Sequence, residues 1–137
     1  MLHQDYLMRL IMNLVVAIRR SLEQAQHDHD PETAAATLEA AIGEATDIDG
    51  AVLLSLTPES IASILQVSGT DPGVIEYLSR SMLLASKYHA EAGNADVAAL
   101  RESQAFALAE AYGINLALEP VSPEELDRLF DEFVASS

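Results

Sequence analysis

From Tyr6 to Ile18 only Arg9 and Asn13 interrupt an apolar run. Wound into a helix, those apolar positions cover more than one face, and a helix that is apolar nearly all round is buried on several sides. Two arrangements bury it: the centre of its own bundle, or an interface shared with a second copy. The leading expectation is a homodimer through Leu7, Leu10, Ile11, Leu14, Val15 and Ile18. Elsewhere the pattern is one-sided. Ala34, Ala35, Leu38, Ala41, Ile42 and Ala45 form one stripe at helical spacing, and Leu126, Leu129, Phe130 and Phe133 form another.

Helix starts are marked by chemistry as well as by period. Asp30-Pro31, Thr57-Pro58, Asp71-Pro72 and Ser122-Pro123 each put an N-cap residue before a proline at the first helical position. The cap side chain accepts from an orphan backbone N–H, and proline loses nothing there by lacking its own. Ser122 with Glu125 also fits a capping box. Gly69, Gly93 and Gly113 fall where left-handed C-terminal caps favour glycine. These signals predict helices over about 3 to 26, 31 to 46, 58 to 68, 72 to 92, 95 to 112 and 123 to 135. Val52 to Leu56 and Ile114 to Leu118 read as packed connectors, and no segment alternates long enough for a sheet. The expected fold is all-α: one domain over residues 1 to 137, with an apolar N-terminal helix (1 to 26), helical hairpins (31 to 112) and a C-terminal capping helix (123 to 135).

Composition sharpens this picture. The chain has 22 Ala, three Phe, four Tyr and no Trp or Cys. Such a core is built from aliphatic side chains, and alanine lets helices approach closely. With no Cys, disulfides and thiolate chemistry are excluded. The net charge of −15 is uneven: residues 1 to 20 sum to +2, and residues 21 to 79 carry eleven acids and no Lys or Arg. That surface repels phosphate backbones and anionic headgroups, so neither nucleic acid nor membrane is an expected partner. A charge mimic of nucleic acid and a membrane-peripheral use of the first helix are lesser alternatives. Asp5 before the apolar run and Arg19-Arg20 after it do not fit a signal peptide, and the run is too short to span a bilayer. A cytoplasmic protein is expected.

Candidate chemistry is sparse. In His27-Asp28-His29-Asp30, alternate side chains of an extended loop diverge, and Asp30 is already assigned as a cap, so a solvated loop is expected rather than a metal site. Asp47-Ile48-Asp49-Gly50 echoes a calcium loop, but Ala45 and Leu56 would fall at ligand positions. No phosphate loop, nucleophile elbow or paired-His zinc motif occurs in the sequence. No catalytic residue, metal or cofactor is expected.

The most informative stretch is Tyr77 to Tyr112, two Ala-rich helices folded back at Gly93-Asn94. Leu84, Ala85 and Tyr88, then Gly93, then Ala98 and Ala105, resemble the tetratricopeptide-repeat pattern, with one extra residue between aromatic and glycine and with Ser81 and Glu102 at positions that usually carry large residues. An ordinary Ala-rich hairpin is the alternative. The opening Asp5 to Ile11, the middle Leu53 to Ile61 and this hairpin together resemble a bacterial family of small helical proteins, domain of unknown function 6483. That resemblance implies a repeat-like helical fold and a cytoplasmic setting, with no catalytic residue to transfer; where such proteins often have a Lys-containing apolar stretch, this chain has the polar Gln24 to Asp30. Tyr77, Arg80, Lys87, Tyr88 and His89 are the candidate groove residues for an acidic or C-terminal carboxylate group of a protein partner. The expected function is a non-enzymatic protein–protein interaction module; a small-ligand binder or enzyme with a pocket assembled only in the fold is the alternative.

Overall fold

A computed structural model describes residues 2 to 116 and Arg128. Residues 2 to 116 form the helices α1 Leu2–Gln26, α2 Pro31–Thr46, α3 Gly50–Leu53, α4 Pro58–Val67, α5 Pro72–Glu91 and α6 Ala95–Ala111. The all-α expectation is met, and the ends of α1, α2, α4, α5 and α6 fall within one residue of those read from the sequence. The helix expected over 123 to 135 lies outside the described residues.

The caps explain this agreement. Asp30 accepts from the Thr33 N–H at 3.1 Å, Thr57 from the Ser60 N–H at 3.2 Å and Asp71 from the Gly73 N–H at 2.8 Å. Each satisfies a donor that the first helical turn leaves unpaired. The Thr33 hydroxyl and backbone bonds also hold the Asp30 carboxyl below its ordinary range. Gly93, at φ 88°, makes the reversal that folds α6 back on α5. The Ser86 hydroxyl then ties the pair by donating to the Ala98 carbonyl at 2.6 Å.

One element was expected only as a packed connector. Residues 50 to 53 form the single helical turn α3, whose start is capped by Asp49, accepting from the Ala51 N–H at 2.9 Å. A crossing of two glycines makes room for it. A Cβ on Gly43 would stand 2.9 Å from the Gly50 nitrogen, and one on Gly50 would stand 2.9 Å from the Glu39 carbonyl oxygen. The α2 backbone and the start of α3 therefore meet at a distance no side chain permits.

The core has two parts. In one, Ala17, Ile18 and Leu22 of α1 pack with Ala34, Ala35 and Leu38 of α2 and with Leu84, Ala85 and Tyr88 of α5. In the other, Leu14 and Val15 join Ile42, Leu53, Ile61, Leu65, Ile75, Leu78, Met82 and Leu108. The middle of α1 thus packs against both α2 and α5 and is buried by its own chain. Each fully buried Leu or Ile there contributes about 1.5 to 3 kcal/mol. The Tyr112 hydroxyl donates to the Leu65 and Thr70 carbonyls at 3.1 and 3.3 Å and fastens the end of α6 to the end of α4.

Candidate partner-binding surface

The face of the α5–α6 hairpin is an open groove of about 490 Å³. Leu83, Ser86, Lys87 and Ala90 form one wall, and Ala95, Ala98, Ala99, Glu102 and Phe106 form the other. These are residues at three- and four-residue spacing, so each helix turns one face into the groove. Alanine on the α6 wall leaves the backbone approachable, while Leu83 and Phe106 give apolar contact. Lys87 is exposed and has no ion pair among the described residues. Glu102 stands on the opposite wall, so the groove carries one charge of each sign.

On the other side of α6 lies a buried polar network. Glu39 Oε2 accepts from Arg101 Nε at 2.8 Å and bonds His89 Nε2 at 2.7 Å. Arg101 Nη1 donates to the Leu54 carbonyl at 2.8 Å and to Gln104 Oε1 at 3.2 Å. Gln104 Nε2 donates in turn to the Leu54 and Leu56 carbonyls at 3.0 and 2.8 Å. The network joins α2, α5 and α6 and satisfies the carbonyls that the short helix α3 leaves open at its end. His89 Nδ1 is buried without a partner among the described residues. A bare ring nitrogen is less costly there than an unpaired N–H, so the tautomer with the proton on Nε2, donating to Glu39, is the one the site favours.

The five residues expected to line one groove do not share a surface. Tyr77 and Tyr88 are 8% and 2% exposed and belong to the core, so neither presents a face to a partner. Tyr88 bonds Ser21 of α1 through its hydroxyl at 3.1 Å, and burial, together with the nearby charge of Glu91 and against the Ser21 bond, pushes that hydroxyl up to about 12. Arg80 pairs with Glu76 at 3.5 Å, one turn back on α5. His89 turns to Glu39 and Arg101. Lys87 alone among the five lines the α5–α6 groove. Both tyrosines were candidates because they lie on the helix before the glycine turn, but both face the core, Tyr88 against Ser21 of α1, a helix whose location the hairpin pattern does not carry.

The expected dimerisation residues divide in the same way. Leu14, Val15 and Ile18 are 0%, 0% and 1% exposed and are consumed within the chain, while Leu7, Leu10 and Ile11 are partly buried against the core. Tyr6 and Val16, at 54% and 49% exposed, are the large apolar α1 side chains left open among the described residues. Along the loop before α2, His27 Nδ1 bonds the neighbouring Asp28 at 3.1 Å in solvent, and Asp30 serves as the cap. No group of three or more His, Asp or Glu side chains among the described residues is placed to hold a metal ion. No helix among them is long and apolar enough to cross a membrane.

Glu39, Arg101 and Gln104 were not singled out by sequence. The available signal was an arginine followed three residues later by a glutamine inside an Ala-rich helix, a spacing that puts both on one face. Glu39, one residue after the α2 stripe position Leu38, reads from sequence as solvated. Compared with known proteins, the chain matches no family model, no curated protein and no solved structure.

Proposed function

We propose that this chain is a non-catalytic protein–protein interaction module whose working surface is the α5–α6 groove. The observation that carries the reading is the groove itself: an open channel with alanine-rich walls between two packed helices, with Leu83 and Phe106 as apolar contacts and, on its edge, Lys87, which has no ion pair among the described residues. Its shape and chemistry suit an amphipathic helix that lays apolar side chains between the walls and sets an acidic residue against Lys87. The repeat-like reading of residues 77 to 112 belongs to this proposal, since hairpins with small residues at their contacts use such faces for binding. The resemblance to small bacterial helical proteins brings no catalytic residue to weigh against it.

The test is selection from a displayed library of amphipathic helices. Ala99 is exposed on the groove wall, so Ala99→Trp fills the channel without entering the core. Selected helices should lose binding to Ala99→Trp, and those with an acidic edge should bind Lys87→Glu about tenfold more weakly, the equivalent of about 1.4 kcal/mol. Helices that bind both variants as well as the original chain, with unchanged circular dichroism, would remove the reading.

A second copy of the chain remains part of the proposal, with the contact moved. Because Leu14, Val15 and Ile18 are filled from within, a homodimer through α1 would use Tyr6 and Val16, beside Arg20 and the α2 residues Thr37 and Glu44 that share a groove with Val16. Sedimentation of Val16→Glu against the original chain checks it: a dimer that persists unchanged refutes this contact.

A further inference from the structure

Arg9, Val16 and Glu23 follow one another at seven-residue intervals along α1, two turns of helix apart, and so share one face. All three are exposed. Neither the Arg9 guanidinium nor the Glu23 carboxylate has an ion pair among the described residues. An open apolar residue thus stands midway between an open base and an open acid, each about 10 Å from it along the helix axis. Beside this stripe α2 runs back along α1, and the two helices border a groove of about 460 Å³. Arg20 and Thr37 lie towards one end of that groove, Asn13 and Glu44 towards the other.

Opposite charges placed symmetrically about an apolar centre complement a second copy of themselves turned end for end. A two-fold axis through Val16 sets two α1 helices antiparallel, so that residue 9 of one copy falls opposite residue 23 of the other, and the reverse. Arg9 then meets Glu23 twice, as every contact in a two-fold interface is made twice. The same axis lays the Arg20 end of one groove over the Glu44 end of the other. A parallel pairing in register does the opposite, setting Arg9 against Arg9 and Glu23 against Glu23. Given the α1 homodimer proposed above, on which this rests, we infer that two copies pair antiparallel through the Arg9–Val16–Glu23 face, with Val16 on the axis and Arg9 of each copy against Glu23 of the other. Val16 and the aliphatic stems of the arginines supply the apolar cover. The charges fix direction and register more than affinity, because ion pairs at an exposed rim are weak.

The experiment is sedimentation of the intact chain across concentration, beside Arg9→Glu, Glu23→Arg and the double exchange. Each single change sets like charges together at two points of the contact and should weaken the dimer about tenfold or more. The double change restores opposite charges and should return the dimer to within about threefold of the original. Since the chain has no Cys, one introduced thiol reports the geometry. Val16→Cys should give a disulfide-linked dimer under mild oxidant. Arg9→Cys should not, because its two copies would lie about 21 Å apart along the helices. A double exchange no better than the single ones, or cross-linking as ready at position 9 as at position 16, would overturn the antiparallel pairing. A dimer indifferent to the charge exchanges but lost in Val16→Glu overturns it too, while leaving the α1 contact in place. A monomer at every concentration removes both.

Discussion

Replacing Gln104 with Leu tests whether the buried polar network holds the bundle together. The Gln104 side chain is fully buried and bonds two backbone carbonyls at the end of α3, Leu54 at 3.0 Å and Leu56 at 2.8 Å. Leucine has nearly the same volume, so the exchange removes the bonds without opening a large cavity. The Leu54 carbonyl keeps its bond from Arg101 at 2.8 Å, so its loss is one net hydrogen bond, about 0.5 to 1.5 kcal/mol. The Leu56 carbonyl loses the Gln104 donor and costs about 1 to 3 kcal/mol if nothing replaces it. The Gln104 bond from Arg101 is lost as well, and the added apolar burial offsets part of the total. The expected destabilisation is about 2 to 4 kcal/mol, a large share of the stability of a typical domain. Urea unfolding followed by far-UV circular dichroism measures it, with a lowered midpoint at an unchanged slope. Gln66→Leu is the internal control. It makes the same chemical exchange where the side chain donates to the Ala111 carbonyl at 3.2 Å in an exposed setting, and it should cost less than about 0.5 kcal/mol. Equal effects of the two substitutions would show that the network contributes nothing beyond a surface bond.

Three further outcomes follow from the packing. Gly43→Ala should destabilise by about 1 to 2 kcal/mol in thermal unfolding even though alanine favours helix by about 1 kcal/mol, because its Cβ would press on the Gly50 backbone; a stabilised variant would mean that the α2–α3 crossing relaxes freely. Asp71→Ala should cost about 1 kcal/mol through loss of the α5 cap, read in the same assay and contradicted by no change in midpoint. Tyr88 should make stability fall in strong alkali: its folded-state hydroxyl titrates near 12, above the value near 10 of an open tyrosine, so the contribution is complete below pH 10 and is lost as pH rises toward 12. The loss should be roughly 2 to 3 kcal/mol and absent in Tyr88→Phe, and a Tyr88→Phe chain with the same alkaline profile would contradict the assignment.

What the sequence by itself determined is local. An N-cap before a proline, a glycine past a helix end and an apolar stripe at helical spacing act within one or two turns of chain, so α1, α2, α4, α5 and α6 were legible with nearly their observed bounds. The same signals said little about which faces meet. Only tertiary packing decided that α1 lies against both α2 and α5, and this took Leu14, Val15 and Ile18 into the chain's own core and drew Tyr88 inward against Ser21. An all-round apolar helix specifies burial but not the partner that supplies it. The α3 turn escaped notice because it rests on the Gly43–Gly50 crossing, a contact between backbones that hydrophobic period does not encode. The polar network was equally hidden. Glu39, His89 and Arg101 lie 50 and 62 positions apart along the chain and become one ion-paired cluster only when α2, α5 and α6 are brought together.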